Sequence, residues 1–495
     1  MKILIVGAGN AGLISALILK KSYPNLTVKI VHDESKGIIG VGEGSTEHFE
    51  TLRSIMNWDQ TTLWNECGVT NKFGIYFENW YENDWIQSVT QSSFETKQND
   101  DHYFYELIDK GASPIEASGF EHCITPGTTP IKFDMINMQG GFLIPFQYHF
   151  DTYMLNNFLM NEAKNIGVEF VDAKVNKVFL SDNGISHITY DDQEEYADLF
   201  IDCSGFEKIL SKHLNHSWVD LSNEFLVNSA VVWQTETNFN EIISFTKATA
   251  LNAGWKWEIP TQTHIGHGYV YSDNHISDDD AIKEVQQLYN AEVARKIFFE
   301  PGYYEKVWVK NCVSIGLSGS FCEPLEATNI ACIIQQADLL RNFISANDFE
   351  RASDRYNKVF ENVMINLFDF IRLHYHDCVG KTPFWIDNNQ IELRDNLKEL
   401  KQICESGNIP DKAFFDSTEW NIFSQPNFLL NLYANGWISS ENINNLTSIK
   451  SSFKKDGVIC TEQDQYTLLG GDYSAYRKIM NLREFTGVNL LKPFR

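Results

Sequence analysis

The chain has 495 residues, of which 43% are hydrophobic and 13% aromatic, and its formal net charge is −26 at pH 7. This length and composition predict a globular protein of two or three subdomains and exclude a disordered chain. The negative charge argues against nucleic acid and anionic membranes as partners, because both attract clustered lysines and arginines. The nine cysteines lack C-x-x-C spacing, which indicates reduced thiols, no metal centre and a cytoplasmic location.

The first thirty residues predict a β-α-β unit. Lys2–Val6 and Leu26–Val31 are short aliphatic runs typical of buried parallel strands, and Leu13–Lys20 has helical character. The turn after the first strand carries three glycines in G-x-G-x-x-G spacing, namely Gly7, Gly9 and Gly12. Glycine lets a pyrophosphate approach the backbone, and the N terminus of the following helix attracts its negative charge. We therefore expect a dinucleotide at this turn.

An acidic side chain is expected after the second strand, where it would bind ribose hydroxyls. Asp33 and Glu34 both follow the sequence VKIVH, and we take Asp33 as the candidate. No apolar stretch of the chain is long enough to cross a bilayer, and the apolar run at the N terminus is too short for a signal sequence. We therefore expect a soluble protein.

A second motif favours FAD as the dinucleotide. Asp198–Ile201 predicts another buried strand, which leads into the sequence DCSGF with Asp202, Ser204 and Gly205. Glycine at this place lets backbone approach a ligand, although an ordinary turn at a strand end would look the same. Two distant motifs on one sheet match a flavoprotein monooxygenase, in which FAD lies extended across the domain. Because no second nucleotide fingerprint follows, we expect the electrons to come from another protein.

The middle of the chain alternates strand and helix patterns, and the last part is mostly helical. The predicted strands are Phe73–Trp80, Ser229–Trp233 and Gly268–Ser272, and the predicted helices include Tyr153–Ile166, one from about Ile330, and most of the chain after Ala352. These patterns predict an α/β fold: a Rossmann-like FAD-binding domain of the flavoprotein monooxygenase type with an inserted β-rich substrate subdomain and a helical C-terminal region. We expect a module over 1–385, with its substrate sheet at about 70–150 and 215–275, and a helical cap over 386–495.

The sequence GWKWEIP at Gly254–Pro260 places two large aromatic side chains close together. Alternation along a strand would put Trp255 and Trp257 on the same face. Such a pair either packs in the core or forms the wall of a cavity.

Several spaced motifs over residues 1–385 resemble the flavin-dependent halogenases, in particular the tryptophan halogenase family. Trp255, Trp257, Ile259 and Pro260 reproduce the pattern W-x-W-x-I-P of that family. Similar segments are GVGEGST (Gly40–Thr46), NKFGIYFENW, GHGYVYSD, NCVSIGLSGSFCEPLEATNI, DFIRLHY and PFW. The resemblance implies that reduced FAD and oxygen convert a halide into hypohalous acid, which travels through a tunnel to a lysine beside the substrate.

The resemblance also implies roles for individual residues. Lys72, in the pattern K-x-G-I-x-F, would receive the oxidant, and Glu326 would orient it and take the ring proton. The halide would bind backbone N–H groups near Thr328 and Asn329, at the start of a helix. The chain departs from the family pattern here, since Ala327 replaces a common serine and Asn329 a common glycine. Halide preference is therefore left open.

The FAD contacts implied by the fingerprint and the resemblance are Gly7, Gly9, Ala11, Gly12, Asp33, Gly42, Glu43, Ser45, Asp202, Gly205 and Leu317. His102 and Phe104 resemble the segment that sandwiches an indole ring, and the two tryptophans would keep the substrate away from the flavin. We expect an electron-rich aromatic or heteroaromatic substrate, without committing to free tryptophan. The expected partners are a separate flavin reductase that supplies FADH2 and further copies of the chain in a homo-oligomer.

Two other functions remain open at this stage. A flavin monooxygenase that hydroxylates an aromatic ring would share the glycine fingerprint but would not need Lys72 or the tryptophan pair. A redox-sensing flavoprotein would share only the cofactor site, and the motifs around Glu326 argue against it.

Overall fold

The computed structural model describes residues 1–38, 42–88, 101–118, 120, 124–126, 128–129, 147–214, 217–238, 240–345, 348–415, 420–445 and 471–472. Two large sheets organise this part of the chain, one of six strands and one of seven. The sequence prediction of an α/β fold with a helical C-terminal region is confirmed.

The six-stranded sheet is built on the N-terminal β-α-β unit. Its strands, in spatial order, are Trp308–Val309, Cys312–Ser314, Leu199–Asp202, Lys2–Val6, Thr27–His32 and Glu169–Asp172. All neighbours run parallel except the first two, which are antiparallel. Ile3 and Ile5 join the main hydrophobic core, whereas Leu4 and Val6 contact a second core cluster on the other face. Because both faces are covered, the strand needs an unbroken aliphatic run.

A small antiparallel sheet covers that second face. Its strands are Lys177–Ser181, Gly184–Tyr190 and Gln193–Tyr196. Ile185, Ile188 and Tyr190 of its central strand are buried with Leu4 and Val6. On the main-core side, the helix Asn10–Ser22 packs against both Thr152–Asn165 and Thr328–Phe343.

The seven-stranded sheet carries the tryptophan motif. Its strands, in spatial order, are Arg295–Phe298, Ser229–Glu236, His264–Tyr271, Gly254–Pro260, Thr246–Leu251, Gly74–Glu78 and Trp85–Ser88. Neighbours are antiparallel except Thr246–Leu251 and Gly74–Glu78, which run parallel. Trp255 and Trp257 face the main core. The opposite face carries Trp233 and Tyr269, which pack with the helix Asp278–Tyr289.

A short antiparallel sheet connects these two layers. Gln147–Phe150 is its central strand, with Glu43–Gly44 on one side and Thr70–Lys72 on the other. Every residue of Thr70–Lys72 and Gln147–Phe150 is buried, including the ammonium-bearing Lys72. Polar residues on fully buried strands must find internal partners, so this connecting sheet is a candidate for function.

The remaining strands are short and peripheral, and the remaining helices lie mainly in the last third of the chain. The strands are Trp218–Asp220, Gly302–Tyr304 and Ser320–Phe321 in one sheet, and Thr128–Thr129 and Gly471–Asp472 in another. The helices are Phe49–Met56, Gln60–Glu66, Asp101–Asp109, Pro114–Ala117, Phe349–His374, Pro383–Gln390, Asp395–Glu405, Lys412–Phe415, Gln425–Ala434 and Ser440–Asn445. Among all described helices, none combines the length and apolar character needed to span a membrane.

The predicted elements are found with shifted ends. The strand expected at Phe73–Trp80 spans Gly74–Glu78, because Asn79 adopts a left-handed conformation with φ of 65° and ends it. The helix expected from about Ile330 begins at Thr328, directly after a kink at Glu326 and Ala327. The strand expected at Gly268–Ser272 spans His264–Tyr271, so it starts earlier and ends one residue sooner.

The predicted domain limits stay a prediction. Within the predicted substrate sheet, residues 89–100 and 130–146 lie outside the described residues, as do 446–470 and 473–495 of the predicted cap. The described residues after 386 are mainly helical, and buried side chains from this region, such as Leu397 and Leu429, belong to the main core.

Gly268 makes room for the ring of Trp257. A Cβ atom on Gly268 would lie 2.1 Å from ring atoms of Trp257. We therefore expect Gly268→Ala to lower the free energy of unfolding by about 1–3 kcal/mol, because overpacking displaces a buried side chain. The measurement is denaturant unfolding of the flavin-free protein.

A double-mutant cycle with Trp257→Phe provides the control. The smaller ring removes the atoms that collide, so Gly268→Ala should cost less in the Trp257→Phe background than alone. Equal costs in both backgrounds would show that the contact does not limit packing.

Candidate active site

Two cavities adjoin each other, and the outer one lies at the carboxyl ends of the parallel strands. The outer groove follows the glycine-rich turn, His32, Asp33 and the loop after Leu199–Asp202. The inner cavity lies against the tryptophan strand and the kink before the helix Thr328–Phe343. The residues that line both are Glu43, Phe206, Leu317 and Asn329. A ligand in the outer groove therefore reaches the wall of the inner cavity.

The glycine-rich turn fits a dinucleotide. Gly7 has φ of 107°, and a Cβ there would lie 2.3 Å from the carbonyl oxygen of Cys203. A Cβ on Gly12 would lie 1.9 Å from the carbonyl oxygen of Gly7, so these two glycines are required by the protein itself. Gly9 differs, because no protein atom lies within 4 Å of a Cβ built on it. The space beside Gly9 is open for a phosphate group.

The helix Asn10–Ser22 leaves its N terminus free for an anion. Gly9 is its N-cap residue, with no capping side chain, and the first turn carries no acidic residue. The first N–H groups of a helix lack intrahelical partners and attract negative charge. The turn therefore has the geometry and the electrostatics that a pyrophosphate needs.

The structure places most of the predicted FAD contacts around the two cavities. Gly7, Gly9, Ala11, Asp33, Glu43, Gly205 and Leu317 line the outer groove, and Gly42 lines the inner cavity. Asp33 caps a short turn and accepts hydrogen bonds from the N–H and hydroxyl of Ser35, which lower the pKa of its carboxyl. Glu34 lines the same groove, so the ribose contact stays a prediction for this pair.

The structure gives Asp202 a different position from the predicted one. The carboxylate of Asp202 is fully buried and accepts hydrogen bonds from the backbone N–H groups of Ser204, Leu210 and Ser211 and from the Ser204 hydroxyl. It does not line either cavity as the described residues form them. Asp202 therefore shapes the loop that contains Gly205. The sequence analysis did not predict its hydrogen bonds to Leu210 and Ser211.

Gly12 and Ser45 also lie away from both cavity walls as described. Gly12 allows close packing of the helix on the turn. The Ser45 hydroxyl accepts a hydrogen bond from the N–H of Tyr148, and the Ser45 carbonyl oxygen accepts one from Nζ of Lys72 at 2.9 Å. Ser45 thus holds the candidate catalytic lysine.

Lys72 lies immediately behind the inner cavity. It is fully buried, and burial lowers the pKa of its ammonium to about 8, against the opposing effect of Glu326 and Glu47. A Cβ on Gly44 would lie 3.0 Å from Nζ of Lys72 and 3.1 Å from Cβ of Ala327. Gly44 is therefore the spacer that brings the lysine next to the kink carrying Glu326.

Glu326 points inward from a strained backbone. Glu326 and Ala327 have φ of 64° and 53°, in the left-handed region that side chains disfavour. The Glu326 side chain is buried and lines the inner cavity. Its Oε1 lies 3.0 Å from Nε2 of His374, while its Oε2 has no hydrogen-bond partner among the described residues. A buried carboxylate oxygen without a partner, on a residue that lines a cavity, is a candidate for contact with a reacting molecule.

His374 was not singled out by the sequence analysis. Its Nδ1 lies 2.8 Å from the carbonyl oxygen of Phe370, which can only accept, so Nδ1 carries a proton. A hydrogen bond between Nε2 of His374 and Oε1 of Glu326 needs a second proton, which lies between these two atoms. The ring is packed among Phe77, Trp85 and Phe370. The sequence contains this histidine within the motif DFIRLHY, but its partner Glu326 lies 48 positions earlier, so the sequence pattern does not predict their contact.

The two tryptophans line the inner cavity, as one of the two sequence interpretations required. Their ring centroids are 6.1 Å apart. The indole N–H of Trp255 and the hydroxyl of Tyr375 both donate to Oε2 of Glu323, at 2.9 and 2.8 Å. Burial raises the pKa of Glu323 to about 7, although these two hydrogen bonds oppose the shift. Glu323 therefore fixes the orientation of Trp255.

The predicted halide position is the start of the helix Thr328–Phe343. Ala327 is its N-cap residue and provides no side-chain cap. Asn329 lines both cavities, whereas Thr328 is buried beside them. The uncapped N terminus of a sixteen-residue helix suits an anion, so the structure is compatible with halide binding there.

The predicted substrate contacts are only partly described. Phe104 is buried in the helix Asp101–Asp109 and lies edge-on to Tyr433, with ring centroids 6.1 Å apart. The side chain of His102 lies outside the described residues. Contact of either residue with a substrate ring stays a prediction.

Comparison with known proteins identifies the family. A sequence model described as tryptophan halogenase matches residues 2–450. The chain belongs to the tryptophan halogenase family. A 7-chloro-L-tryptophan 6-halogenase of Kutzneria sp. (strain 744) is 31% identical over 443 residues, which cover 82% of this chain and 85% of that relative. A tryptophan 7-halogenase of Lentzea aerocolonigenes is 29% identical over 441 residues, covering 82% of each chain.

The fold agrees with this tryptophan halogenase assignment. The crystal structure of a tryptophan 6-halogenase from Streptomyces toxytricini matches with a TM-score of 0.83 and 25% identity, covering 96% of this chain and 99% of that chain. The chain is therefore a flavin-dependent halogenase that uses FAD and a halide, with reduced flavin from a separate reductase. The alternative of an aromatic hydroxylase is not supported.

Gly9 provides a test of the cofactor position in this halogenase. Because the protein leaves open space beside Gly9, we expect Gly9→Val to fold normally and to lose FAD affinity at least tenfold through a clash with the phosphates. Flavin fluorescence titration measures the affinity, and circular dichroism of the flavin-free protein checks folding. Gly9→Ala should show a smaller loss. Unchanged affinity in a folded Gly9→Val variant would contradict the assignment.

The buried ammonium of Lys72 should make stability depend on pH. The folded pKa of about 8 lies below the ordinary value of 10.5, so folding penalises the charged form. Lys72→Met removes this penalty, and we expect it to be more stable than the wild type by on the order of 3 kcal/mol below pH 8. The advantage should shrink as pH rises from 8 to 10.5, because the wild-type lysine is then neutral in the folded state.

Lys72→Arg is the matched control, since a guanidinium stays charged over this range. The difference in free energy of unfolding between Lys72→Arg and Lys72→Met should therefore stay constant as pH rises. Denaturant unfolding at several pH values measures all three proteins, and a constant difference between wild type and Lys72→Met would contradict the lowered pKa.

Proposed function

We propose that this enzyme halogenates an electron-rich aromatic or heteroaromatic ring of the indole type, with Lys72 and Glu326 at the reacting end of the inner cavity. The observation that carries these roles is the position of the two side chains. The fully buried Lys72 lies directly behind the lining residue Gly44, and the buried side chain of Glu326 lines the same inner cavity, which adjoins the outer groove. The names of the relatives, which are tryptophan 6- and 7-halogenases, support an indole substrate.

Reduced FAD, when bound in the outer groove, supplies the activation of oxygen that turns a halide ion into hypohalous acid. The residues that would hold it are the glycine-rich turn, Asp33 or Glu34, and the loop with Gly205. The helix start at Thr328 and Asn329 would bind the halide through backbone N–H groups. Glu43, which lines both cavities, would face the flavin ring, and burial raises the pKa of its carboxyl to about 7.

The inner cavity would separate the place where the oxidant forms from the place where it reacts. Trp255 and Trp257 fill part of its wall, and most other lining residues are apolar. Such a wall excludes water and keeps a bulky ring away from the flavin. Hypohalous acid is small enough to pass where an indole is not.

Lys72 would hold the oxidant beside the substrate. With a pKa of about 8, the lysine donates a hydrogen bond as ammonium or reacts as the free amine, depending on pH. The ring attacks the halogen, a carbon–halogen bond forms as the halogen–oxygen bond breaks, and the hydroxide leaves as water after taking a proton from the ammonium of Lys72. The carboxylate of Glu326 then removes the ring proton from the halogenated carbon, which restores aromaticity.

His374 would assist Glu326. Its Nδ1 is anchored to the carbonyl oxygen of Phe370, so Nε2 is held toward Oε1 of Glu326 at 3.0 Å. The pair can accept a proton at Oε2 and redistribute charge over the imidazole. The cytoplasmic location and the homo-oligomer expected from the sequence stay predictions.

One assay tests the reaction itself. The protein is supplied with FAD, a flavin reductase, NADH, oxygen and bromide, together with a panel of indoles and phenols. Mass spectrometry should detect replacement of hydrogen by bromine on an indole. A product carrying only added oxygen, or no product from any ring in the panel, would contradict the proposal.

Lys72 and Glu326 should be separable by the step at which they act. Lys72→Met keeps a linear side chain without the ammonium, so we expect flavin oxidation at the normal rate with no halogenated product. Glu326→Gln should retain some product, reduced by about 10²–10⁴-fold, because a positioned base contributes a factor of that size. The measurement is product per flavin oxidised in a single turnover, and wild-type yield from Lys72→Met would overturn the role of the lysine.

A further inference from the structure

His149 lies buried beneath Lys72 and is not part of the site described above. It belongs to the central strand of the connecting sheet, where it is paired with Gly44 on one side and Thr70 on the other. Its side chain is fully buried. Nδ1 lies 3.1 Å from the hydroxyl oxygen of Thr70, and Nε2 lies 3.0 Å from the hydroxyl oxygen of Thr246.

The direction of these hydrogen bonds follows from one carbonyl group. The Thr70 hydroxyl contacts the carbonyl oxygen of Pro260, which can only accept, so Thr70 donates its single proton there. Thr70 must then accept from His149, and Nδ1 of His149 carries a proton.

The imidazole of His149 is neutral. Burial and the positive charge of Lys72 hold the pKa of His149 well below its ordinary value. A neutral ring protonated at Nδ1 has a lone pair at Nε2, so Nε2 accepts the proton of the Thr246 hydroxyl. The oxygen of Thr246 therefore has only lone pairs left to offer to any further partner.

Thr246 stands on the wall of the inner cavity. It begins the strand Thr246–Leu251 and is paired with Ile75, and both residues line the cavity. The other polar side chains of that lining are Glu43, Glu326 and Asn329, and the remainder is apolar apart from the two indoles. Among the described residues, Thr246 is the hydroxyl-bearing residue of this largely apolar lining.

We propose that Thr246 is a positioning residue that accepts the O–H of hypohalous acid on its way to Lys72, and that His149 keeps the Thr246 oxygen an acceptor. This proposal rests on the proposed function. Hypohalous acid carries one proton on oxygen and its electrophilic halogen on the other side. Binding the O–H to the wall leaves the halogen directed into the cavity, where the lysine and the ring can reach it.

Thr246→Val and Thr246→Ser form the matched test pair. Valine keeps the shape and removes the acceptor, so product per flavin oxidised should fall about two- to tenfold, the range for one neutral hydrogen bond. Oxidant released to solution, captured by a soluble thioether, should rise by the corresponding amount. The rate of flavin oxidation should not change, and Thr246→Ser should restore the yield. Wild-type yield from Thr246→Val, or an equal loss in both variants, would overturn the proposal.

Failure of the proposed function gives a different result. If Lys72→Met keeps the wild-type yield, the mechanism around the lysine is wrong, whatever the two threonine variants show.

A second measurement does not depend on turnover, and it needs only one folded variant, His149→Gln, to assign the signal. Nitrogen NMR of the flavin-free wild-type protein, labelled at histidine, reports the protonation of each imidazole, and His149→Gln assigns the signal. We expect a neutral ring protonated at Nδ1 at pH 7. A ring protonated at Nε2, or an imidazolium, would overturn the proposed polarity of Thr246.

Discussion

The buried ammonium of Lys72 is the constraint on which the site depends. A fully buried cation is unfavourable unless it is hydrogen-bonded, and the carbonyl oxygen of Ser45 provides that contact. Ser45 is itself fixed by backbone and hydroxyl contacts to Tyr148 in the next strand. The connecting sheet brings Lys72, the spacer Gly44 and the carbonyl group of Ser45 together at one point.

The same constraint sets the electrostatics of the neighbours. Burial and the positive charge of Lys72 both lower the pKa of His149 and keep its imidazole neutral. The kink at Glu326 and Ala327 places a carboxylate and a helix N terminus against the same cavity. Backbone strain of this kind persists only where surrounding packing holds it, and Leu325 and Ile330 on either side are buried in the main core.

Local sequence patterns predicted the parts of the molecule in which neighbouring residues act together. The glycine-rich turn, the aliphatic first strand and the shared face of Trp255 and Trp257 follow from spacing alone. Lys72 and Glu326 came from the family resemblance, and the structure brings both to one wall. Contacts that depend on how the chain turns back on itself were not predictable. Asp202 was assigned to the cofactor, but its carboxylate accepts hydrogen bonds from the backbone N–H groups of Leu210 and Ser211. The hydrogen bonds that join Thr246, His149 and Thr70 connect three strands, and local sequence patterns do not predict how those strands align.

The tryptophan pair has a chemical cost as well as a structural use. Trp255 and Trp257 are indoles, the same kind of electron-rich ring that the enzyme is proposed to halogenate, and both line the inner cavity. On the proposed mechanism the oxidant would pass both rings, so turnover without a bound substrate would halogenate the enzyme's own side chains. The operating lifetime of the catalyst would then depend on how completely the substrate site is filled.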